Sequence, residues 1–257
     1  MKPLRRPAFL QRNLRSIVKR GGVALADASG GYMVQHLPEW IAKTGFDFDR
    51  WRVLWTARNP VNDRADLARL VMFVETARQI EKENIAGSLA ELGVYKGTTA
   101  KLLHELLPGR TLWLFDTFEG FAASDLAHER DASAAGFRFD DTSLDAVLRH
   151  VGASGRVRAC KGHFPSTAAA VPDGERFALV HLDADLYKPT ADALAFFYPR
   201  LSPGAFLVLH DYGSGAWPGI AQAADAFFAD KPEGLVRIPD KSGTAIVRRA
   251  KAAGRAG

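Results

Sequence analysis

From Ser88 onward, the 257-residue chain alternates short apolar runs with amphipathic segments. The runs read "SLAELGV", "TLWLFD", "VRACKG", "FALVHLDA" and "AFLVLHDY". Near-continuous apolar strands separated by helices are typical of a parallel sheet that is covered on both faces. The final stretch "GLVRIPDKSGTAIVRR" holds two more strand-like runs around a turn with Gly243, which indicates an antiparallel hairpin at one edge. The sequence predicts an α/β fold with a doubly wound, mostly parallel seven-stranded sheet.

The stretch "DRADLARLVMFVETARQIEKEN" repeats apolar residues at spacings of three and four, and it predicts a long helix with Asp63 as N-cap. The residues before this helix mix Gly, Pro and aromatics without sustained periodicity. We therefore divide the chain into a basic arm with a helical cap or lid (1–62), a main domain (63–250) and a disordered tail (251–257).

The first 20 residues are strongly basic, and no acid precedes Asp27. Charge interrupts every apolar stretch there, so a secretory signal peptide is not expected. One face of a helix would gather four apolar residues opposite the arginines: Leu10, Leu14, Ile17 and Val18. Such a face suits a membrane-surface helix, and a solvated arm ending at Gly21 and Gly22 is the alternative. Because the basic stripe does not continue downstream, we expect no nucleic-acid partner.

The chain contains one cysteine, Cys160, so it forms no intramolecular disulfide and suits a reducing compartment. No apolar stretch approaches the roughly 20 residues that a membrane-spanning helix needs. We expect a cytoplasmic protein, with residues 1–20 as the one segment suited to a membrane surface. The cap offers surface for a homo-oligomer.

The first predicted strand ends in a glycine turn, "AELGVYKGTT", that opens a helix. Gly93 and Gly97 bracket the turn, Val94 and Tyr95 lie within it, and Thr98 is placed to cap the helix amides. The turn lacks the GxGxxG pattern of dinucleotide binders. Glu91 is an acid inside an apolar strand, and its burial requires a cationic partner such as an ammonium group, or several donors.

The second strand ends with Asp116, followed by Thr117 and Phe118, about twenty residues after the glycine turn. An acid at that interval suits ribose hydroxyls, although an Asp that caps a turn would look the same. Ribose together with an ammonium, and without a pyrophosphate cradle, describes S-adenosylmethionine better than NAD.

The fourth and fifth strands end in "HLDADLY" and "LVLHDYG". Because neighbouring parallel strands are roughly 4.8 Å apart, Asp183, His210 and Asp211 can converge on one cation. A divalent metal would relieve the repulsion between these acids and acidify a substrate hydroxyl. Asp185, just past the strand end, would then be free to act as general base.

Six segments resemble, in order, the TylF/NovP-type O-methyltransferases: "AELGVYKG", "DTFEGF", "KGHFPST", "HLDADLY", "YPRLSPGAFLVLHDYG" and "WPGIAQAADAFF". The resemblance runs from about Asp63 to Arg248. It implies a Rossmann-like class I methyltransferase fold. It also implies magnesium-dependent methyl transfer from S-adenosylmethionine to a sugar hydroxyl of a glycosylated natural product or a surface glycan.

By the same resemblance, Asp183 would bind the metal beside the cofactor and Asp185 would be the base. Glu91 and Asp116, with the glycines at 93 and 97, would hold the cofactor. Its adenine would lie near three residues of the third strand's end, Gly162, His163 and Phe164. The family usually has two adjacent aspartates where this chain has His210 and Asp211, and imidazole suits zinc, manganese or iron-group ions better than magnesium.

Two other functions are compatible with parts of the sequence. The pair Asp183 and Asp185 also fits the DxD motif with which glycosyltransferases bind a metal and a nucleotide sugar, but it comes late, after the glycine turn and Asp116. The basic N-terminal segment would also suit a non-catalytic module that docks on a membrane surface.

Overall fold

The computed structural model describes residues 45–57, 66–129, 138–152 and 155–251, together with residues 17, 21, 22, 24 and 41. The chain divides into two compact units, Met1–Arg50 and Trp51–Gly257. The domain boundary predicted after residue 62 and the tail beyond residue 251 lie outside the described residues. So does the predicted membrane-surface helix, except for Ile17, which is helical and exposed.

Seven strands and seven α-helices are described. The strands are β1 (Ser88–Leu92), β2 (Leu112–Asp116), β3 (Val157–Lys161), β4 (Phe177–Leu182), β5 (Leu201–Leu209), β6 (Val236–Arg237) and β7 (Ala245–Arg248). The helices are α1 (Phe48–Ala57), α2 (Leu67–Lys82), α3 (Thr98–Leu106), α4 (Ala123–Leu126), α5 (Leu144–Val151), α6 (Tyr187–Phe197) and α7 (Pro218–Phe228). Short 3₁₀ turns cover Ser166–Ala170 and Tyr198–Arg200.

The strands form one sheet in the order β3-β2-β1-β4-β5-β7-β6. The first five in that order run parallel, and β7 is antiparallel to both β5 and β6. The predicted doubly wound sheet with an antiparallel edge is confirmed. The order reverses between β1 and β4, and in open sheets of this kind ligands bind beyond the carboxyl ends of the strands at that reversal.

The two central strands are buried along their whole length, which explains their apolar sequences. Glu91 of β1 pairs in register with His181 of β4, so the two ionisable residues of these strands are direct neighbours. The cost of burying two polar side chains is reduced when they bond to each other.

The long helix predicted from residue 63 is confirmed as α2, but the prediction of Asp63 as its N-cap is not, since the helix begins at Leu67 after Asp66. Asp66 makes no capping hydrogen bond and instead contacts the buried Arg69 at 2.6 Å. Trp51 and Trp55 are buried, and the Arg69 guanidinium lies over the Trp55 ring at 5.1 Å. These two tryptophans therefore belong to the core.

None of the helices in the described ranges is long and apolar enough to cross a membrane.

Gly93 allows β1 and β4 to approach each other closely where both strands end. Its φ is +82°, and a Cβ built there would lie 1.9 Å from the carbonyl oxygen of Asp183. Its amide donates to the Phe115 carbonyl at 2.9 Å. Only glycine satisfies both the left-handed backbone and the contact.

Replacing Gly93 by alanine should therefore destabilise the protein more than the backbone angle alone explains. Gly152 is a matched control, because its φ is +80° and no atom of the described residues lies within 4 Å of a Cβ there. We expect Gly152→Ala to lower the free energy of unfolding by about 1 kcal/mol and Gly93→Ala by about 3 kcal/mol or more. Urea denaturation measures both, and equal losses would mean that the contact with Asp183 is not tight.

Candidate functional site

A cavity of about 350 Å³ lies in the Trp51–Gly257 unit, at the carboxyl ends of the parallel strands. Eleven of the thirteen predicted cofactor residues line it: Glu91, Gly93, Val94, Tyr95, Thr98, Asp116, Thr117, Gly162, His163, Phe164 and Asp183. The predicted base and metal residues Asp185, His210 and Asp211 line it as well. The remaining two, Gly97 and Phe118, lie outside the lining.

Asp116 organises the turn after β1. Its Oδ2 accepts hydrogen bonds from the amides of Val94 and Tyr95 at 2.7 and 2.8 Å, and its Oδ1 accepts from the Phe118 amide at 2.6 Å. Each carboxylate oxygen accepts about two hydrogen bonds, so Oδ2 is saturated and Oδ1 retains one lone pair. Asp116 therefore caps a turn, and its Oδ1 keeps the capacity to accept from one further donor.

The prediction that Thr98 caps helix α3 is wrong. Gly97, with φ +77°, occupies the N-cap position, and Thr98 is the first helical residue. The Thr98 side chain is buried at 4% exposure, and its Oγ1 has no hydrogen-bond partner within the described part of the chain. Gly97 serves packing, because a Cβ there would lie 2.9 Å from the Val147 side chain.

Glu91 is held from one side by His181. The Nδ1 of His181 lies 2.9 Å from Glu91 Oε1, and both side chains are almost fully buried. Glu91 Oε2 has no hydrogen-bond partner among the described residues. Burial raises the pKa of Glu91 well above its usual range, with Asp183 and Asp116 adding to the effect. Burial lowers the pKa of His181 to about 3.

The acids at the ends of β4 and β5 converge as predicted. The sheet ladder continues past both strands, because the Asp183 amide donates to Leu92 O and the His210 amide donates to Leu182 O. Ligand atoms of Asp183, His210 and Asp211 lie within 4.8 Å of one another. His210 Nδ1 is 2.7 Å from Asp183 Oδ1 and 2.8 Å from Asp211 Oδ2, within ion-pair distance of both carboxylates.

The charged groups at the ends of β4 and β5 shift the pKa values of their neighbours. Burial acts to lower the pKa of His210, but Asp183 and Asp211 raise it to about 10. Burial acts to raise the pKa of Asp183, but the neighbouring His210 holds it well below its usual range. The pKa of Asp185 is raised well above its usual range by burial and by Asp183 and Asp211. The group thus favours a positive charge, and the His210 imidazolium supplies one.

Four non-glycine residues that line the cavity adopt a left-handed backbone: Tyr95, Phe139, Asp185 and Asp211, with φ of +49°, +49°, +61° and +55°. For such residues this conformation is unfavourable and is typical of functional sites. At Asp185 it turns the chain between β4 and α6.

His163 lies at the far side of the cavity. It follows β3, three strand spacings or roughly 14 Å from β4. Its Nε2 is 2.9 Å from Oδ2 of the buried Asp125, which the sequence analysis did not single out. His163 is therefore remote from the acids of β4 and β5, as expected of a residue near an adenine.

Arg69 also lines the cavity and was missed from the sequence. The sequence pattern did indicate that Arg69 faces the core, because it lies four and seven residues before Phe73 and Thr76, which are buried on the same face of α2. Its guanidinium favours the ionised form of Asp183 and Glu91.

Four aromatic side chains that line the cavity form a connected cluster: Tyr95, Phe121, Phe139 and Trp217. Phe139 lies 5.2 Å from Tyr95 and 5.4 Å from Phe121 between ring centroids, and Phe121 lies 5.8 Å from Trp217. Their spacing in the sequence carries no periodic signal, because the fold brings together four separate loops.

Comparison with known proteins places this site in a family. Residues 64–238, more than half of the chain, match the family of macrocin-O-methyltransferases (TylF). The chain is 33% identical over 146 residues to mycinamicin III 3''-O-methyltransferase of Micromonospora griseorubida. It is 32% identical over 165 residues to 8-demethyl-8-(2,3-dimethoxy-alpha-L-rhamnosyl)-tetracenomycin-C 4'-O-methyltransferase of Streptomyces olivaceus.

These matches cover 51% and 58% of this chain and 57% and 61% of the two relatives, so the chain spans less than two thirds of their length. Among solved structures, the O-methyltransferase NovP superposes with a TM-score of 0.63 at 25% identity, over 72% of this chain and 80% of NovP.

The role of Asp116 in the turn can be tested by Asp116→Asn. The amide keeps the size but replaces one acceptor oxygen with a donor, which then faces backbone N–H groups. We expect the free energy of unfolding to fall by about 2 kcal/mol, the usual scale for hydrogen bonds to a charged group. Asp141→Asn is the control, since exposed Asp141 contacts the Tyr95 hydroxyl and Lys96 of the same turn. A loss as large in the control would contradict the assignment.

Proposed function

The chain belongs to the macrocin-O-methyltransferase family, and from that membership we propose that it transfers the methyl group of S-adenosylmethionine to a sugar hydroxyl of a glycosylated natural product or a surface glycan. The observation that carries the proposal is the shared cavity: it joins the glycine turn and Asp116 on one side to Asp183, Asp185 and His210 on the other. The proposed nucleoside site and the proposed proton-accepting site would therefore lie next to each other in one cavity.

The cofactor is proposed to lie across the ends of β1, β2 and β3. Glu91 Oε2, which is buried and has no partner in the described residues, would accept from the α-ammonium. Asp116 Oδ1 would accept from one ribose hydroxyl. Gly162, His163 and Phe164 would flank the adenine. Each role uses acceptor capacity or space that is present in the cavity.

The residues at the ends of β4 and β5 fit a divalent cation. His210 Nδ1 lies 2.7 and 2.8 Å from oxygens of Asp183 and Asp211, so three groups that can ligate a metal are gathered within 4.8 Å of one another. Asp183, His210 and Asp211 would hold the ion. When bound, the ion would supply a Lewis acid that lowers the pKa of a coordinated hydroxyl.

The chain's own residues would complete the transfer. When bound, S-adenosylmethionine would supply an activated methyl group for the acceptor oxygen, with S-adenosylhomocysteine as the leaving group. The hydroxyl proton passes to the Asp185 carboxylate. The aromatic cluster around Phe139 would keep water from the reacting atoms and align the acceptor, which supplies much of the rate in a reaction with an already activated methyl donor.

Asp185→Asn tests the proposed base. The amide cannot take the proton, so we expect turnover to fall at least about a hundredfold, the usual contribution of general-base catalysis. Affinity for S-adenosylhomocysteine should stay within about twofold, because Asp185 does not hold the cofactor in this account. Steady-state rates and calorimetry measure the two quantities. An equal loss in both would assign Asp185 to binding.

His210→Asp tests the metal site and the departure from the family's two adjacent aspartates. An all-oxygen site suits Mg²⁺, whereas a site with one imidazole suits Mn²⁺ better. We expect the wild type to bind Mn²⁺ more tightly than Mg²⁺, and His210→Asp to gain about tenfold in Mg²⁺ affinity. Calorimetry with each ion alone measures this, and Asp211→Asn should weaken both ions. Unchanged Mg²⁺ affinity in His210→Asp would exclude His210 as a ligand.

Calorimetry with S-adenosylhomocysteine and with UDP, each with and without Mg²⁺, tests the proposed function against the glycosyltransferase alternative. We expect S-adenosylhomocysteine to bind and UDP not to bind. Binding of UDP alone would favour a DxD role for Asp183 and Asp185. Binding of neither nucleotide, with salt-sensitive liposome binding lost on deletion of residues 1–20, would favour the membrane-surface module.

A further inference from the structure

His181 is the one fully buried histidine among the described residues that has no part in the function proposed above. Its side chain is 0% exposed and does not line the cavity. Its hydrogen-bonding contact with the site is Glu91, whose Oε1 lies 2.9 Å from Nδ1. The His181 ring also lies edge to face with the His210 ring, with centroids 6.3 Å apart. A role that acts through Glu91 must therefore be separated from a general effect on the cavity.

The imidazole is fixed in place by its surroundings. His181 is paired in register with Glu91 across neighbouring central strands. The Phe73 ring packs edge to face against it, with centroids 5.1 Å apart and planes at 89°. A side chain enclosed in this way cannot change rotamer without disturbing the core. It presents Nδ1 to Glu91 in one orientation.

Glu91 has two oxygens with different environments. Oε1 is engaged by His181, while Oε2 is buried without a partner in the described part of the chain and belongs to a residue that lines the cavity. An unsatisfied buried carboxylate oxygen is costly, and a bound donor removes the cost. Without His181, the carboxylate would lose the contact that decides which oxygen faces the cavity.

We propose that His181 is a positioning residue for the amino-acid end of the cofactor: it holds Glu91 Oε1, so that Oε2 is aimed at the α-ammonium group. This inference rests on the proposed function, because it takes S-adenosylmethionine as the cofactor. It predicts that His181 affects ligands with an amino-acid end and no others.

Two probes separate this role from a general effect on the pocket. S-adenosylhomocysteine carries the ammonium and carboxylate, whereas 5′-methylthioadenosine keeps the nucleoside and sulfur but lacks the amino-acid end. His181→Leu removes the donor and keeps the site apolar. His181→Asn places an amide nitrogen near the position of Nδ1 and should rescue the contact.

We expect His181→Leu to weaken S-adenosylhomocysteine binding about tenfold, the usual effect of losing one hydrogen bond to a charged group. Binding of 5′-methylthioadenosine should change by less than about twofold, which also reports that the variant is folded. His181→Asn should recover most of the affinity for S-adenosylhomocysteine. In a Glu91→Gln background, His181→Leu should add little, because the two residues act as one unit.

Several results would overturn the inference. They are an equal loss for both probes in His181→Leu, no recovery in His181→Asn, or additive losses in the double variant. If His181→Leu does not fold, the affinities of His181→Asn and Glu91→Gln for S-adenosylhomocysteine decide. A wild-type affinity in Glu91→Gln would remove the role proposed for His181. Failure of the wild type to bind either probe would instead overturn the proposed function, and this inference with it.

Discussion

The site depends on how a crowded group of carboxylates is kept together in a partly buried cavity. Asp183, Asp185 and Asp211 meet at the ends of β4 and β5, and Glu91 lies one strand away. Like charges at such distances disfavour ionisation, and the raised pKa values of Glu91 and Asp185 reflect this. His210 and Arg69 supply the opposing charge. A site of this kind gains most from a cationic ligand, and both a divalent ion and a sulfonium amino acid provide one.

The backbone makes this crowding possible. The reversal of strand order between β1 and β4 leaves a crevice above two neighbouring strand ends, and Gly93 lets the chain after β1 touch the carbonyl of Asp183. Asp116 then fixes the turn above β1 through three amides. Asp116 thus fixes the turn after β1, whereas the strand order and Gly93 bring the acids of β4 and β5 next to that turn. The two parts of the cavity meet at Glu91 and Asp183.

Much of this was predictable from sequence, because the information was local. Apolar runs and their spacing predicted five parallel strands and the edge hairpin, and acids after apolar runs marked strand ends. Features set by neighbours in space were not predictable. Gly97, with its left-handed backbone, takes the N-cap position of α3 that was predicted for Thr98. Three backbone amides donate hydrogen bonds to Asp116. His181 faces Glu91 only because β1 and β4 pair in one register. The bounds of helix α1 within the predicted helical cap were not predictable either, since its sequence lacks a sustained apolar period.

The most direct test of the central claim is a crystal structure with S-adenosylhomocysteine and Mn²⁺ bound, with the ion located by anomalous scattering. The account predicts a manganese peak between Asp183, His210 and Asp211. It also predicts the nucleoside over Gly93 with its ammonium at Glu91 Oε2. A cavity that holds the nucleoside elsewhere, or acids that turn away from one another with no ion between them, would contradict it.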